Sequence, residues 1–273
     1  MNAGAPPATA AGREVRFERL RRPELDGYAS SDAVVLIPIG AVEQHGPHLP
    51  VETDTFAATA CALECARSFD DVLVAPAIPW GLSHGHAELG GTLTLRPSTL
   101  LDLGVDLMES LVNSGFPRIV WVNGHAGNRP ALGLLVYEAK RQWGLSVAAL
   151  TYYELAAERF VAGRASALGG AGHACEFETS LMLHLDADRV GDASAVCHPV
   201  VPLTSHDFQD ITVSGPAQVG FTFAERFPDG VAGEPGLATP ELGRDIFRAA
   251  CAALSDFVRE LKSTPLFGAL PRD

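Results

Sequence analysis

Positive charge is what this sequence has least of. Twenty Lys and Arg stand against 33 Asp and Glu, for a net charge of −13 over 273 residues. That balance argues against nucleic acid or an anionic membrane as a partner, because either would repel the chain. Cysteines are few and odd in number, five in all, so they build no disulfide framework and fit a reducing cytoplasm. Cys61 and Cys65 lie four apart on a predicted helix and share one face. With no second Cys/His pair at finger spacing, they read as small core residues. No apolar run reaches membrane-spanning length. Residues 1–15 lack the apolar stretch of a signal peptide and read as a flexible tail. No repeat or low-complexity linker divides residues 16–273, which read as one domain whose 47% hydrophobic content suffices for a core.

What is present is an alternation of strand and helix signals. Residues 33–39 form a continuous apolar run of the kind buried on both faces of a parallel sheet. Further strands are predicted over 72–77, 118–122 and 145–152. Helices are predicted over 54–67, capped by Asp54 or Thr55, over 98–113, from about Asn128 with Pro130 in its first turn, over 175–185 and over 240–261. Residues 192–239, rich in Pro, Gly, Ser and Thr, read as a long functional loop or covering flap. The expected fold is α/β, a layered β/α/β-type arrangement around a mostly parallel central sheet.

In such folds ligands gather beyond the carboxyl ends of the strands, and polar clusters recur there. After the first strand comes Glu43-Gln44-His45-Gly46-Pro47-His48-Leu49-Pro50, then Asp54. Glu43 and His45, two apart in extended chain, project to one side, and Gly46, Pro47 and Pro50 let the backbone curl so that Asp54 approaches them. Two carboxylates and an imidazole delivered by a bent loop suit a catalytic divalent cation. His84 and His86 follow the second strand as candidate substrate contacts. His125, between Gly124 and Ala126-Gly127 in a strand-to-helix turn, is a candidate ligand. Near the last site, Glu176 and Glu178 are roughly 200° apart on a helix, so one faces a metal and the other does not. His173, in the lead-in turn, is poised for proton transfer.

The run Ile39-Gly40-Ala41-Val42-Glu43-Gln44-His45-Gly46-Pro47-His48-Leu49-Pro50, with Asn123-Gly124-His125 and Glu178-Thr179-Ser180, resembles the creatininase (creatinine amidohydrolase) family. Asp54 matches that family's spacing, and 90–95 and 230–239 resemble it too. The resemblance implies a metal-dependent amidohydrolase with two divalent ions (zinc, manganese or iron), assembled as a homohexamer and acting on a small-molecule substrate. It implies that Glu43 and His125 bind one ion and His45 the other, with Asp54 bridging. The remaining ligand of creatininases proper falls at Gly127, which offers no donor, so Glu176 is assigned that role. His173 matches a proton-shuttling histidine, and Glu178 or Glu154 would orient a ligand. A metal-bridging hydroxide would attack an amide carbonyl, and His173 would protonate the leaving nitrogen.

Tyr153 and Gly169 stand where creatininases proper carry two tryptophans, which leaves Tyr153 as a substrate contact and turns the expectation toward the formamide hydrolase and mycofactocin peptidase-like branches. The substrate would be a cyclic amide, a formamide or a small peptide-like molecule. A lactonase or ring-opening hydrolase of a cyclic sugar or polyol is the alternative, and a non-catalytic metal-stabilised binding protein a weaker one. His48 and Glu52, by the same comparison, are not ligands, and His184, His198 and His206 carry no readable constellation.

Overall fold

Apolar side chains alternate across the first strand, and that alternation sets the layers. The structure is a computed structural model and describes residues 13–264 apart from 195 and 208. Its helices are α1 (Arg22–Ser30), α2 (Thr53–Ala66), α3 (Pro97–Asn113), α4 (Arg129–Trp143), α5 (Tyr152–Leu155), α6 (Ala157–Gly163), α7 (Glu176–Leu185), α8 (Phe223–Arg226) and α9 (Pro240–Ser263). Its strands are β1 (Val34–Ile39), β2 (Val72–Val74), β3 (Arg118–Asn123), β4 (Ala148–Thr151), β5 (Ala171–His173), β6 (Gln209–Asp210), β7 (Val213–Ser214) and β8 (Ala232–Gly233). The central sheet runs β2-β1-β3-β4, all parallel. Val34, Leu36, Val120 and Val122 face a core shared with α2, α7 and α9. Val35, Ile37, Ile119 and Trp121 face the opposite core, shared with α3 and α4. Both faces of the sheet are thus covered, as a parallel sheet requires.

The expected strand and helix positions hold to within a few residues, with three differences. Helix α2 begins at Thr53 after Glu52, with no side-chain cap, so Asp54 is not a cap and its carboxylate is available elsewhere. The 192–239 stretch contains β6, β7, β8 and α8 rather than loop throughout. Of the expected tail, residues 1–12 lie outside the described residues, whereas Arg13 and Val15 are tied down. Arg13 donates to Tyr28 Oη and to the carbonyls of Ala66, Phe69 and Val72, and the Val15 carbonyl accepts from Val74 N–H. Cys61 and Cys65 are buried on α2 as small core residues. Among the described residues no helix is long and apolar enough to cross a membrane.

The flap is anchored by a buried ion pair. Asp210 accepts from Arg164 at 3.0 Å through each of its oxygens and from the N–H groups of Gly169 and Thr212. Burial pushes its carboxyl up, but Arg164 and those backbone donors more than offset this, and its pKa is lowered. Asp210→Ala strands the guanidinium and two N–H groups, and about 3–5 kcal/mol of stability should be lost, read from urea unfolding. Because the folded-state pKa is depressed, this contribution is present above the unfolded carboxyl value of about 4 and disappears as pH falls through the folded value. The variant's stability should therefore depend less on pH on the acid side than the wild type's.

Candidate metal centre

The register of the sheet brings the sites together. Ile39 pairs with Asn123, and Asn123 with Thr151, so β1, β3 and β4 end level and their following loops emerge side by side. Asn128 ties these loops, donating to the Gly40 carbonyl and accepting from Leu82 N–H. Asn123 fixes the His125 backbone by accepting from its N–H and donating to its carbonyl. The N-terminus of α2 sits directly on this edge. A Cβ on Gly124 would lie 2.2 Å from the Asp54 carbonyl oxygen, so only glycine lets Asp54 come this close.

Glu43, His45, Asp54, His125, His173 and Glu178 converge there, all buried. His125 Nδ1 lies 3.2 Å from both Glu43 Oε1 and Asp54 Oδ2. His45 Nε2 lies 3.1 Å from Asp54 Oδ1 and 3.8 Å from Glu178 Oε1. Ligand-capable atoms of Glu43, His45 and Asp54, and of His45, His173 and Glu178, are close enough to share an ion. The outer nitrogens of the two imidazoles face backbone carbonyls. His45 Nδ1 donates to the Glu43 carbonyl (3.1 Å) and His125 Nε2 to the Leu82 carbonyl (3.1 Å). Their inner nitrogens, in the neutral tautomer, then present lone pairs to carboxylate lone pairs. Glu43 Oε2 and Asp54 Oδ2 are buried without a hydrogen-bond partner among the described residues. Acceptors facing acceptors in a buried site call for a cation between them, and the donor set of imidazole and carboxylate fits a divalent metal.

Electrostatics agree. Burial opposes charge on His45 and His125, yet Asp54 with Glu178, and Glu43 with Asp54, outweigh it and raise both pKa values well above the usual imidazole range. Burial pushes Asp54 up, but the two histidines hold it well below the carboxylate range. Burial, together with its charged neighbours, drops His173 and His86 to about 3.

The α7 carboxylates take the reverse of their expected places. Glu176 Oε1 and Oε2 accept from the N–H groups of Ala165 and Ser166 at 2.7 and 2.9 Å, which turns that carboxylate away from the cluster. Glu178, expected to orient a ligand, faces His45 instead. The cause is the way α7 starts: Ala174 has φ +49° and Cys175 is extended, so the first helical residue points back at 165–166 and the third points in. Gly127 could carry no donor in this backbone, since a Cβ there would lie 2.4 Å from His125 Nε2 and the Leu82 carbonyl.

Of the other expected residues, His86 lies against the cluster, His84 is exposed, and Tyr153 packs into the core beside Tyr152 and Phe177. Glu154 pairs with Arg129 at the surface. Two neighbours of the cluster carry no signal in the sequence: Gln44, whose Nε2 lies 3.0 Å from His86 Nδ1 and 3.2 Å from His173 Nε2, and Phe223, stacked on His86 at 3.9 Å. Gln44 sits inside the first motif, but an uncharged amide there does not mark itself as part of a metal site; Phe223 lies where no periodicity exists to reveal it.

Comparison with known proteins gives a consistent picture. The family profile "Creatininase: Creatinine amidohydrolase" matches residues 18–258. The "Mycofactocin precursor peptide peptidase" of Mycolicibacterium smegmatis is 32% identical over 231 residues, 83% of this chain and 84% of the relative. The "Creatinine amidohydrolase" of Pseudomonas putida is 28% identical over 247 residues, 85% of this chain and 91% of the relative. A solved manganese creatininase superposes with a TM-score of 0.75 at 26% identity, covering 91% of this chain and 98% of that one. The matched span contains every residue of the cluster, and the chain belongs to the creatininase family, whose members are hydrolases acting on carbon–nitrogen bonds.

Proposed function

We propose that the protein binds two divalent cations and hydrolyses an amide C–N bond in a cyclic amide, a formamide or a small peptide-like substrate. The observation that carries this is Asp54, whose two oxygens address two different imidazoles, His45 and His125. Glu43 and His125 would complete one half-site, His45 and Glu178 the other, with Asp54 common to both. Bound ions would supply Lewis acidity, acidifying water and polarising the carbonyl. His173 supplies the proton relay. Its Nε2 donates to the Gln44 carbonyl at 2.8 Å, which leaves Nδ1 bare, 3.5 Å from Glu43 Oε1. That nitrogen can take a proton beside the cluster and return it to the leaving amine.

The nearest chemistry among the relatives named above is peptide and cyclic-amide cleavage. We propose a cytoplasmic setting and a homohexamer, which light scattering on the purified protein tests. The functional test is turnover of cyclic amides, formamides, short peptides and lactones with Zn²⁺ or Mn²⁺ and after EDTA. Amide cleavage that EDTA removes is the expected result; cleavage of lactones alone, or activity indifferent to chelation, rejects the proposal. Zn²⁺ uptake should also release protons and tighten as pH rises, because the neighbouring carboxylates raise the pKa values of His45 and His125 and a cation must compete with protons for their inner nitrogens. A pH-indicator titration with no proton release would contradict this ligand set.

A further inference from the structure

Gln44 is buried and both ends of its amide are fixed by backbone groups of one polarity. Its Oε1 accepts from Gly46 N–H at 3.0 Å, and its Nε2 donates to the Gly230 carbonyl at 3.1 Å. A backbone N–H only donates and a carbonyl only accepts, so the amide has one orientation. One N–H of Nε2 remains, with His86 Nδ1 at 3.0 Å and His173 Nε2 at 3.2 Å. His173 Nε2 already carries a proton, because it donates to the Gln44 carbonyl. The remaining N–H therefore goes to His86, and His86 Nδ1 must be the nitrogen without a proton. The proton of the His86 ring is on Nε2.

That nitrogen faces the cluster, 3.7 Å from Glu43 Oε1, too far for a hydrogen bond. The ring cannot turn away, since it is stacked on Phe223 at 3.9 Å and 25° and lies 4.5 Å from His173. The two histidines therefore show the site opposite polarity: His173 a lone pair, His86 an N–H. We infer that His86, although within reach of a shared ion with Glu43 and His173, is no metal ligand but a fixed hydrogen-bond donor to the carbonyl oxygen of the substrate amide. A ligand nitrogen needs its lone pair, and here it is spent on Gln44. A donor fixed before reaction and aimed at oxygen that gains negative charge stabilises the transition state more than the ground state. This inference rests on the amide-hydrolase reading for the identity of the acceptor, not for the tautomer.

Three measurements on the full-length protein decide it. Two-bond ¹H–¹⁵N NMR, metal-free and with Zn²⁺, should show His86 protonated at Nε2 and bare at Nδ1. Zn²⁺ titration of His86→Leu should give wild-type stoichiometry and a Kd within threefold. Turnover of whichever amide the wild type cleaves should fall about 10²-fold in kcat in His86→Leu, and His86→Gln, which still offers an N–H, should recover part of it. A bare Nε2, loss of one equivalent of Zn²⁺, or His86→Leu activity within threefold of wild type would overturn the assignment. Should the wild type cleave no amide, the hydrolase reading falls, while the NMR and Zn²⁺ arms still judge the donor assignment.

Discussion

Asp54→Asn should remove metal-dependent hydrolysis almost entirely, by about 10³-fold or more, and lower bound metal measured by elemental analysis. The carboxylate addresses His45 through Oδ1 and His125 through Oδ2, so one substitution damages both half-sites. An amide keeps the shape but loses the charge and offers one oxygen instead of two. Each ion contributes several kcal/mol to charge stabilisation in such reactions, and 1.36 kcal/mol is a factor of ten in rate, which sets the scale of the loss. The metal-free variant should still fold, because His45 and His125 can become neutral once their counter-charge is reduced. Circular dichroism of the chelated protein checks this. His125→Ala should likewise abolish activity, through the half-site it shares with Glu43. Full activity of either variant with metal loaded would reject the two-ion arrangement.

The second large effect separates two carboxylates only two positions apart. Glu178→Gln should lower metal content and cut activity by a comparable factor, because Glu178 Oε1 faces His45 Nε2. Glu176→Gln should keep its metal. Its oxygens hold the N–H groups of Ala165 and Ser166, and an amide can accept only one of these, leaving a buried donor unpaired at about 1–3 kcal/mol. That variant should lose stability while the metal-loaded enzyme remains active. The reverse pattern, metal lost with Glu176→Gln and kept with Glu178→Gln, would restore the role that the family resemblance gave to Glu176.

These carboxylates also mark where sequence reasoning stopped. The geometry of an α-helix shows that Glu176 and Glu178 cannot face one point, but it does not say which of them faces it. That depends on the phase with which α7 starts, and the phase is set by Ala174 at positive φ and Cys175 in extended form, which no periodicity announces. The same limit hid Gln44. Period two places it opposite Glu43 and His45, yet the curl at Gly46 and Pro47 brings the 227–231 loop and His173 round to meet it.

By itself the sequence determined the layered parallel architecture, since runs such as Val34–Ile39 are apolar on both sides and have no stable place except between two helix layers. It also determined which loops carry the chemistry, because glycine-flanked acids and histidines recur after successive strands. Only the tertiary structure decided which atoms meet. Helix phase at α7 is set by the backbone of Ala174 and Cys175, and the proton on each imidazole and the orientation of the Gln44 amide are fixed by partners as much as 186 residues away. Hydrogen-bond polarity is a property of pairs, and a pair exists only once the chain has closed on itself.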